Sequence, residues 1–272
     1  MLRKYMPVAE MKKKGWFLYD IDTVKGIEQE CVRIFNQPSI PESEYLQEYK
    51  FCVRQTNFDY DYTLWYSKTW FEYAKLHAAS FELPKYNRDK LENIANNLYE
   101  YTLKSDGVNE LINGLNSCGV GFFCLSHLQK TYLDGAAFIS GNNPFVVYTC
   151  RYDRIDNFWF VIAHEIAHIL HHYDFLKEAF LDNLEYQAET DIEKEADKYA
   201  GIYLNQDKVL EVGQVYGKYL NTSRLSQISE QTKVSIPVAL GMLQHFGMLD
   251  WRQFAKYKVY AKSSIPEELI KG

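Results

Sequence analysis

The chain has 272 residues, 47% apolar and 16% aromatic, enough to bury a core in one large domain or two small ones, and this excludes a disordered chain. A net charge of −6 and a pI near 5.7 argue against the whole chain binding nucleic acid, since neutralising phosphates needs a basic face. No apolar run reaches about 18 residues, and the N-terminus MLRKYMPVAEMKKKGW has basic residues with no apolar stretch after them, so neither membrane insertion nor secretion is expected and cytoplasm is the default location.

The first hundred residues read as mostly helical. Ile21 to Phe35 carries apolar residues at helical spacing (Val24, Ile27, Val32, Ile34), and residues 37–44, with two prolines, read as a loop. TLWYSKTWFEYAKLHAASF places Leu64, Trp65, Trp70, Tyr73, Ala74 and His77 on a long aromatic helix, a pattern that serves more often as core than as a docking groove. A further helix is expected from Asn87 to Leu103. Ser105 to Gly107 is the candidate boundary between a helical accessory region, 1–105, and a core with a C-terminal helical segment, 106–272. Three short β-branched and aromatic runs follow: Val120 to Leu125, Ala136 to Ser140 and Phe145 to Thr149. Gly141, Asn142, Asn143 and Pro144 separate the last two, so strands joined by tight turns are expected. An antiparallel edge there could take up an extended peptide by strand addition.

The next segment, FWFVIAHEIAHILHH, spells HExxH at His164, Glu165 and His168. Phe158, Ile162, Ile166, Ile169 and Tyr173 recur at helical spacing, with Asp156 as the expected N-cap. Residues i and i+4 share a helix face, so His164 and His168 can offer two imidazoles to one Zn²⁺, with Glu165 in reach of a water at the metal. A catalytic zinc takes a third protein ligand and leaves a position open. Asp174, six residues past His168, is one source; it is weakened because His171 stands where a glycine would let the chain turn. The other is the acidic helix TDIEKEADKYAGIYL, whose Glu189, Asp191, Glu193, Glu195 and Asp197 precede a stripe of Ala196, Ala200, Tyr203 and Leu204. His171 and His172 could also bind metal, but a solvated helix end is the favoured reading, since the helix dipole favours His near a C-terminus. In such a site zinc acts as a Lewis acid, Glu165 as general base and then acid toward a peptide bond, and Tyr199 or Tyr148 is a candidate oxyanion donor.

Past this helix, residues 206–272 carry nine Lys and Arg against six Asp and Glu, and SRLSQISEQTKVSIPVALGMLQHFG reads as two short helices around Thr232 to Val234. With only Arg224 and Lys233 at hand for phosphates, a helical hairpin packed on the core is favoured over a DNA-binding helix-turn-helix. Cys31, Cys52, Cys118, Cys124 and Cys150 show no CxxC spacing, which fits free thiols in a reducing compartment and not a thiolate zinc site.

FWFVIAHEIAHILHH, followed by EKEADKYAGIYL, resembles the ImmA/IrrE zinc metallopeptidase family, especially the branch found behind a helix-turn-helix in HigA-type regulators. The similarity takes in GVGFFCLSHLQKTYLDGAAFISGNNPFVVYTCRYDRIDNFWF and VSIPVALGMLQHFGMLDW, roughly residues 106–260. It implies an α+β fold, mainly helical, with a zincin-like core and a small antiparallel or mixed three-stranded sheet beside the HExxH helix. It implies Zn²⁺ held by His164, His168 and Glu195, the Glu directly before Ala in the EAD motif, with Glu193 as fallback. The chain departs from the pattern at Gln206, where the family often has Pro, and it starts near the point where the usual DNA-binding domain would have ended. The expected function is a zinc endopeptidase cleaving a regulatory protein, a helix-turn-helix repressor or an antitoxin, and so relieving repression of stress, phage or mobile-element genes. The alternative is a non-proteolytic zinc-containing regulator that captures such a partner. Glu165 favours the enzyme, because a structural zinc site has no use for it.

Overall fold

The computed structural model describes residues 6–36, 60–178 and 186–271. Helices α1 (Val8–Lys13), α2 (Val24–Phe35) and α3 (Tyr60–Ala78) precede α4 (Arg88–Asn96), α5 (Leu98–Tyr101) and α6 (Gly107–Ser117). Strands β1 (Gly121–Leu125), β2 (Gly135–Ser140) and β3 (Asn143–Tyr148) come next. Then follow α7 (Ile155–His171), α8 (Tyr173–Glu178), α9 (Tyr186–Tyr203), α10 (Gln206–Tyr216), α11 (Thr222–Thr232), α12 (Ile236–His245) and a short strand β4 (Ile270–Lys271). The fold is α+β and mainly helical, as expected, but the sheet has four strands where three were expected. The strand order is β2-β3-β1-β4, with β1 parallel to β3 and β4, and β2 antiparallel to β3. The added strand pairs only Ile270 with Cys124 and Lys271 with Leu125, too short a run for a period-two pattern to reveal. Between β2 and β3 the register leaves Gly141 and Asn142 as a two-residue loop, and Gly141 takes the positive φ of 61° that its first position demands.

Alternation along the strands divides the interior. Phe122, Cys124, Val146 and Tyr148 point to one face of the sheet, where they pack with α4, α6 and α7 and the helices beyond. Phe123, Leu125, Phe145 and Val147 point to the other and meet Met11, Trp16, Trp70, Phe71 and Ala74. The two cores therefore part at the sheet, and Leu91, Ile94 and Leu98 of α4 and α5 lie on the side of α7. Asn97, at φ −115° and ψ 15°, interrupts the single helix expected from Asn87 to Leu103. The loop expected at 37–44 lies outside the described residues, as does Cys52; Cys31, Cys118, Cys124 and Cys150 are unbridged.

Helix α7 is buried on nearly every side from Phe158 to Leu170. Arg154 occupies its N-cap position; Asp156, expected there, lies in the first turn, paired with Arg154 and packed against Gly241 of α12. A Cβ at Gly241 would strike that carboxylate, so this glycine sets how closely α12 approaches α7. The C-terminal hairpin turns at Lys233, in the left-handed region with φ 59°, and α12 is buried from Val238 to Gln244 against α7. Among the described residues no helix is long and apolar enough to cross a membrane.

Candidate metal centre

Helices α7 and α9 pack against each other, and the alanines Ala163, Ala167, Ala196 and Ala200 are all fully buried. So little side chain permits a close approach that brings polar residues of the two helices into contact. His164 and His168, one turn apart, bring their Nε2 atoms to 3.0 Å. Glu193 spans the pair, with Oε2 3.3 Å from His164 Nε2 and Oε1 3.3 Å from His168 Nε2. In a tetrahedral zinc site with bonds of about 2.0–2.1 Å the ligand atoms stand roughly 3.3–3.4 Å apart, close to each of these His–Glu contacts, although the carboxylate meets the two imidazoles with different oxygens. Two neutral imidazole nitrogens this close need a proton or a cation between their lone pairs. His164, His168 and Glu193 could hold a metal ion, and two imidazoles with one carboxylate are a donor set that suits zinc.

Glu195, expected as the third ligand, does not join this group; the structure sets Glu193 there instead. The reason is helical rotation. Two residues on from Glu193, Glu195 lies about 200° round α9, and its Oε2 meets His172 Nε2 at 3.3 Å. Glu193, Ala196, Asp197 and Ala200 stand at i, i+3, i+4 and i+7, which is a single face. That spacing is the signal that could have selected Glu193 from the sequence, and it also brings in Asp197, which was not singled out. Asp197 Oδ1 lies 2.9 Å from His164 Nδ1, the arrangement in which a carboxylate fixes the tautomer of a ligating histidine. His172 is buried, not a solvated end, and its Nδ1 lies 3.1 Å from His168 Nδ1.

The charges make this corner favourable to a cation. Burial alone would depress His164, but hydrogen bonds to Asp197 and Glu193 and the charge of Glu165 outweigh it and push its pKa up to about 10. Burial also opposes ionisation of Glu193, yet the hydrogen bonds from His164 and His168 hold its carboxyl well below the usual carboxylate range. Glu165 is 7% exposed and lies under the first residue of β2. A Cβ at Gly135 would stand 2.9 Å from Glu165 Oε1 and 2.4 Å from Val161 Cγ1, so the glycine makes the room that this carboxylate occupies.

Of the two tyrosines expected as oxyanion donors, Tyr148 has its hydroxyl bonded elsewhere, while Tyr199 has its ring stacked. Tyr199 stacks on His171 with ring centroids 3.5 Å apart, and His171 Nε2 also meets Tyr203 Oη at 2.8 Å. Tyr148 is fully buried and donates its hydroxyl to the Tyr152 carbonyl at 2.7 Å, just before the N-terminal end of α7, which lies about 13 Å along the helix from His164. Asp174 is exposed on α8, outside the group. Comparison of the chain with protein-family models and with curated proteins finds no match.

Proposed function

We propose that the protein is a zinc-dependent endopeptidase. The observation that carries this reading is the group of His164, His168 and Glu193, a two-imidazole, one-carboxylate donor set with contacts of 3.0 and 3.3 Å, with a buried Glu165 next to His164 in the chain. Zinc bound there supplies Lewis acidity toward a peptide carbonyl and lowers the pKa of its water toward neutrality. Glu165 is the general base: its carboxylate takes a proton from the attacking water and returns it to the leaving amine. Asp197 holds His164 in the tautomer that leaves Nε2 free. Strand β2 ends the sheet, so its outer edge supports main-chain pairing with an extended peptide beside Glu165.

The substrate that fits the sequence resemblance is a regulatory protein, a helix-turn-helix repressor or an antitoxin, whose cleavage relieves repression. The test incubates purified protein with candidate DNA-binding partners and compares wild type with Glu165→Gln. Removing the base lowers cleavage about 10²–10⁴-fold, while metal analysis still finds zinc. Cleavage at the wild-type rate by the Gln variant rejects the mechanism. A wild-type protein that binds its partner and leaves it intact supports capture in place of proteolysis.

A further inference from the structure

We propose that Glu195 and His172 are positioning residues for His168, forming a relay from the rim of the site to the second metal-ligating imidazole. The inference rests on reading His164, His168 and Glu193 as metal ligands. His168 Nε2 faces His164 Nε2 at 3.0 Å and Glu193 Oε1 at 3.3 Å, so Nε2 is the nitrogen that ligates and it must be unprotonated. A neutral imidazole then carries its proton on Nδ1. Facing that Nδ1, at 3.1 Å, is the Nδ1 of His172. Two such nitrogens bond only when one donates and the other accepts, so His172 accepts at Nδ1 and carries its own proton on Nε2. That N–H points at Glu195 Oε2, 3.3 Å away.

Each link fixes the next. A carboxylate accepts and does not donate, so Glu195 holds His172 in the one tautomer that can receive the His168 proton. The interior of the relay is dry, since His168 and His172 are 6% and 9% exposed, while the Glu195 side chain is 52% exposed and its charge remains solvated. His172 is itself fixed by the backbone: its N–H bonds to the His168 carbonyl at 2.9 Å, and its carbonyl accepts from Leu176 N at 3.0 Å. The two imidazole ligands are thus supported unequally, His164 by a carboxylate in direct contact and His168 by one acting through another histidine.

The test is a double-mutant cycle on zinc affinity, read by competition of Zn²⁺ with a chromogenic chelator, in wild type, Glu195→Gln, His172→Ala and the double variant. Glu195→Gln weakens zinc binding about tenfold, the low end of the 10–100-fold effect of such supporting contacts, and it adds nothing in the His172→Ala background. Replacing zinc by Co²⁺ gives a second readout: the visible spectrum of the bound cobalt shifts in both single variants and not in Asp191→Asn, an exposed acid of the same helix. Zinc affinity unchanged in Glu195→Gln, or lowered equally in both backgrounds, overturns the relay, provided Asp197→Asn still weakens binding and so shows the metal centre to be sound. Unchanged affinity in Asp197→Asn and in the His164→Ala, His168→Ala double variant overturns the metal centre itself.

Discussion

On each side of the sheet a carboxylate meets nitrogen partners, Glu30 buried and Glu193 with its side chain 43% exposed, and the two are treated differently. On the side of α1 to α3, Glu30 is 2% exposed; its Oε1 accepts from the Leu18 and Tyr19 amides, and its Oε2 pairs with Arg33 Nη2 at 2.7 Å. On the side of α7, Glu193 meets two imidazole nitrogens. A guanidinium is a permanent charge, so Glu30 is neutralised whatever the conditions, and its donors saturate it. Imidazoles are cationic only when protonated and otherwise offer lone pairs, so the surroundings of Glu193 accept a proton or a metal ion in the same place. A buried carboxylate with an Arg and two amides has all its acceptors taken; a half-exposed one facing two histidines belongs to a group that could hold a metal ion. The aromatic layer supports this division: Trp16 stacks on Tyr73 at 4.3 Å, Phe71 meets Phe138 edge-on at 5.1 Å, and Trp70 donates its indole N–H to the Ser126 carbonyl.

If the comparison holds, damage on the two faces should read out differently. The largest expected effect is on the α7 side. His164→Ala with His168→Ala removes two of three ligands, and elemental analysis should find zinc falling from about one per chain to a small fraction of that, with cleavage abolished. Thermal melting should show that the metal-free fold persists, because the apolar core around α7 remains. Zinc retained at full stoichiometry would break the comparison, since Glu193 would then be no more a metal ligand than Glu30. On the opposite face, Trp70 is fully buried. Trp70→Ala should cost about 3–5 kcal/mol of stability, read in denaturant unfolding, and zinc bound per folded chain should stay near that of wild type. A zinc loss matching that of the histidine variants would show that the two faces do not act separately.

The helix that carries His164 and His168 was legible in the sequence because its signal is local: two histidines at i and i+4 within an apolar run fix both the element and the face. Which acid faces the two histidines was not, since Glu195 was preferred and Glu193 kept as fallback, because the choice depends on how α9 is rotated against α7. The information was present in the alanines, since Ala196 and Ala200 mark the buried face and Glu193 and Asp197 lie on it. His172 was misread for a different reason. A histidine closing a helix is solvated by default, but His172 is buried and meets His168 and Glu195 of α9, a contact between helices that no local pattern announces. Tyr148 was rightly placed on a strand, but a strand pattern does not say that its hydroxyl already serves the Tyr152 carbonyl. The missing β4 shows the same limit: two residues pair with β1 from the far end of the chain, and no local pattern announces them.

The smallest expected effect joins the sheet to the site. Gly135 is the first residue of β2, and its backbone is one that alanine can adopt, so Gly135→Ala tests contact and not strain. The new methyl would stand 2.4 Å from Val161 Cγ1 and 2.9 Å from Glu165 Oε1, closer than van der Waals contact allows. Either the strand edge or the Glu165 side chain must yield, at a stability cost of about 1–3 kcal/mol. Zinc binding should be nearly unchanged, because neither His164, His168 nor Glu193 is among the atoms nearest the new methyl. Cleavage should fall if Glu165 is the general base proposed above, because it is displaced from its place under the strand. Measured together, unfolding midpoint, zinc stoichiometry and cleavage rate separate the two roles. A variant with wild-type cleavage and lowered stability would make Gly135 a packing residue alone; loss of cleavage with zinc in place would make the edge of the sheet part of the site.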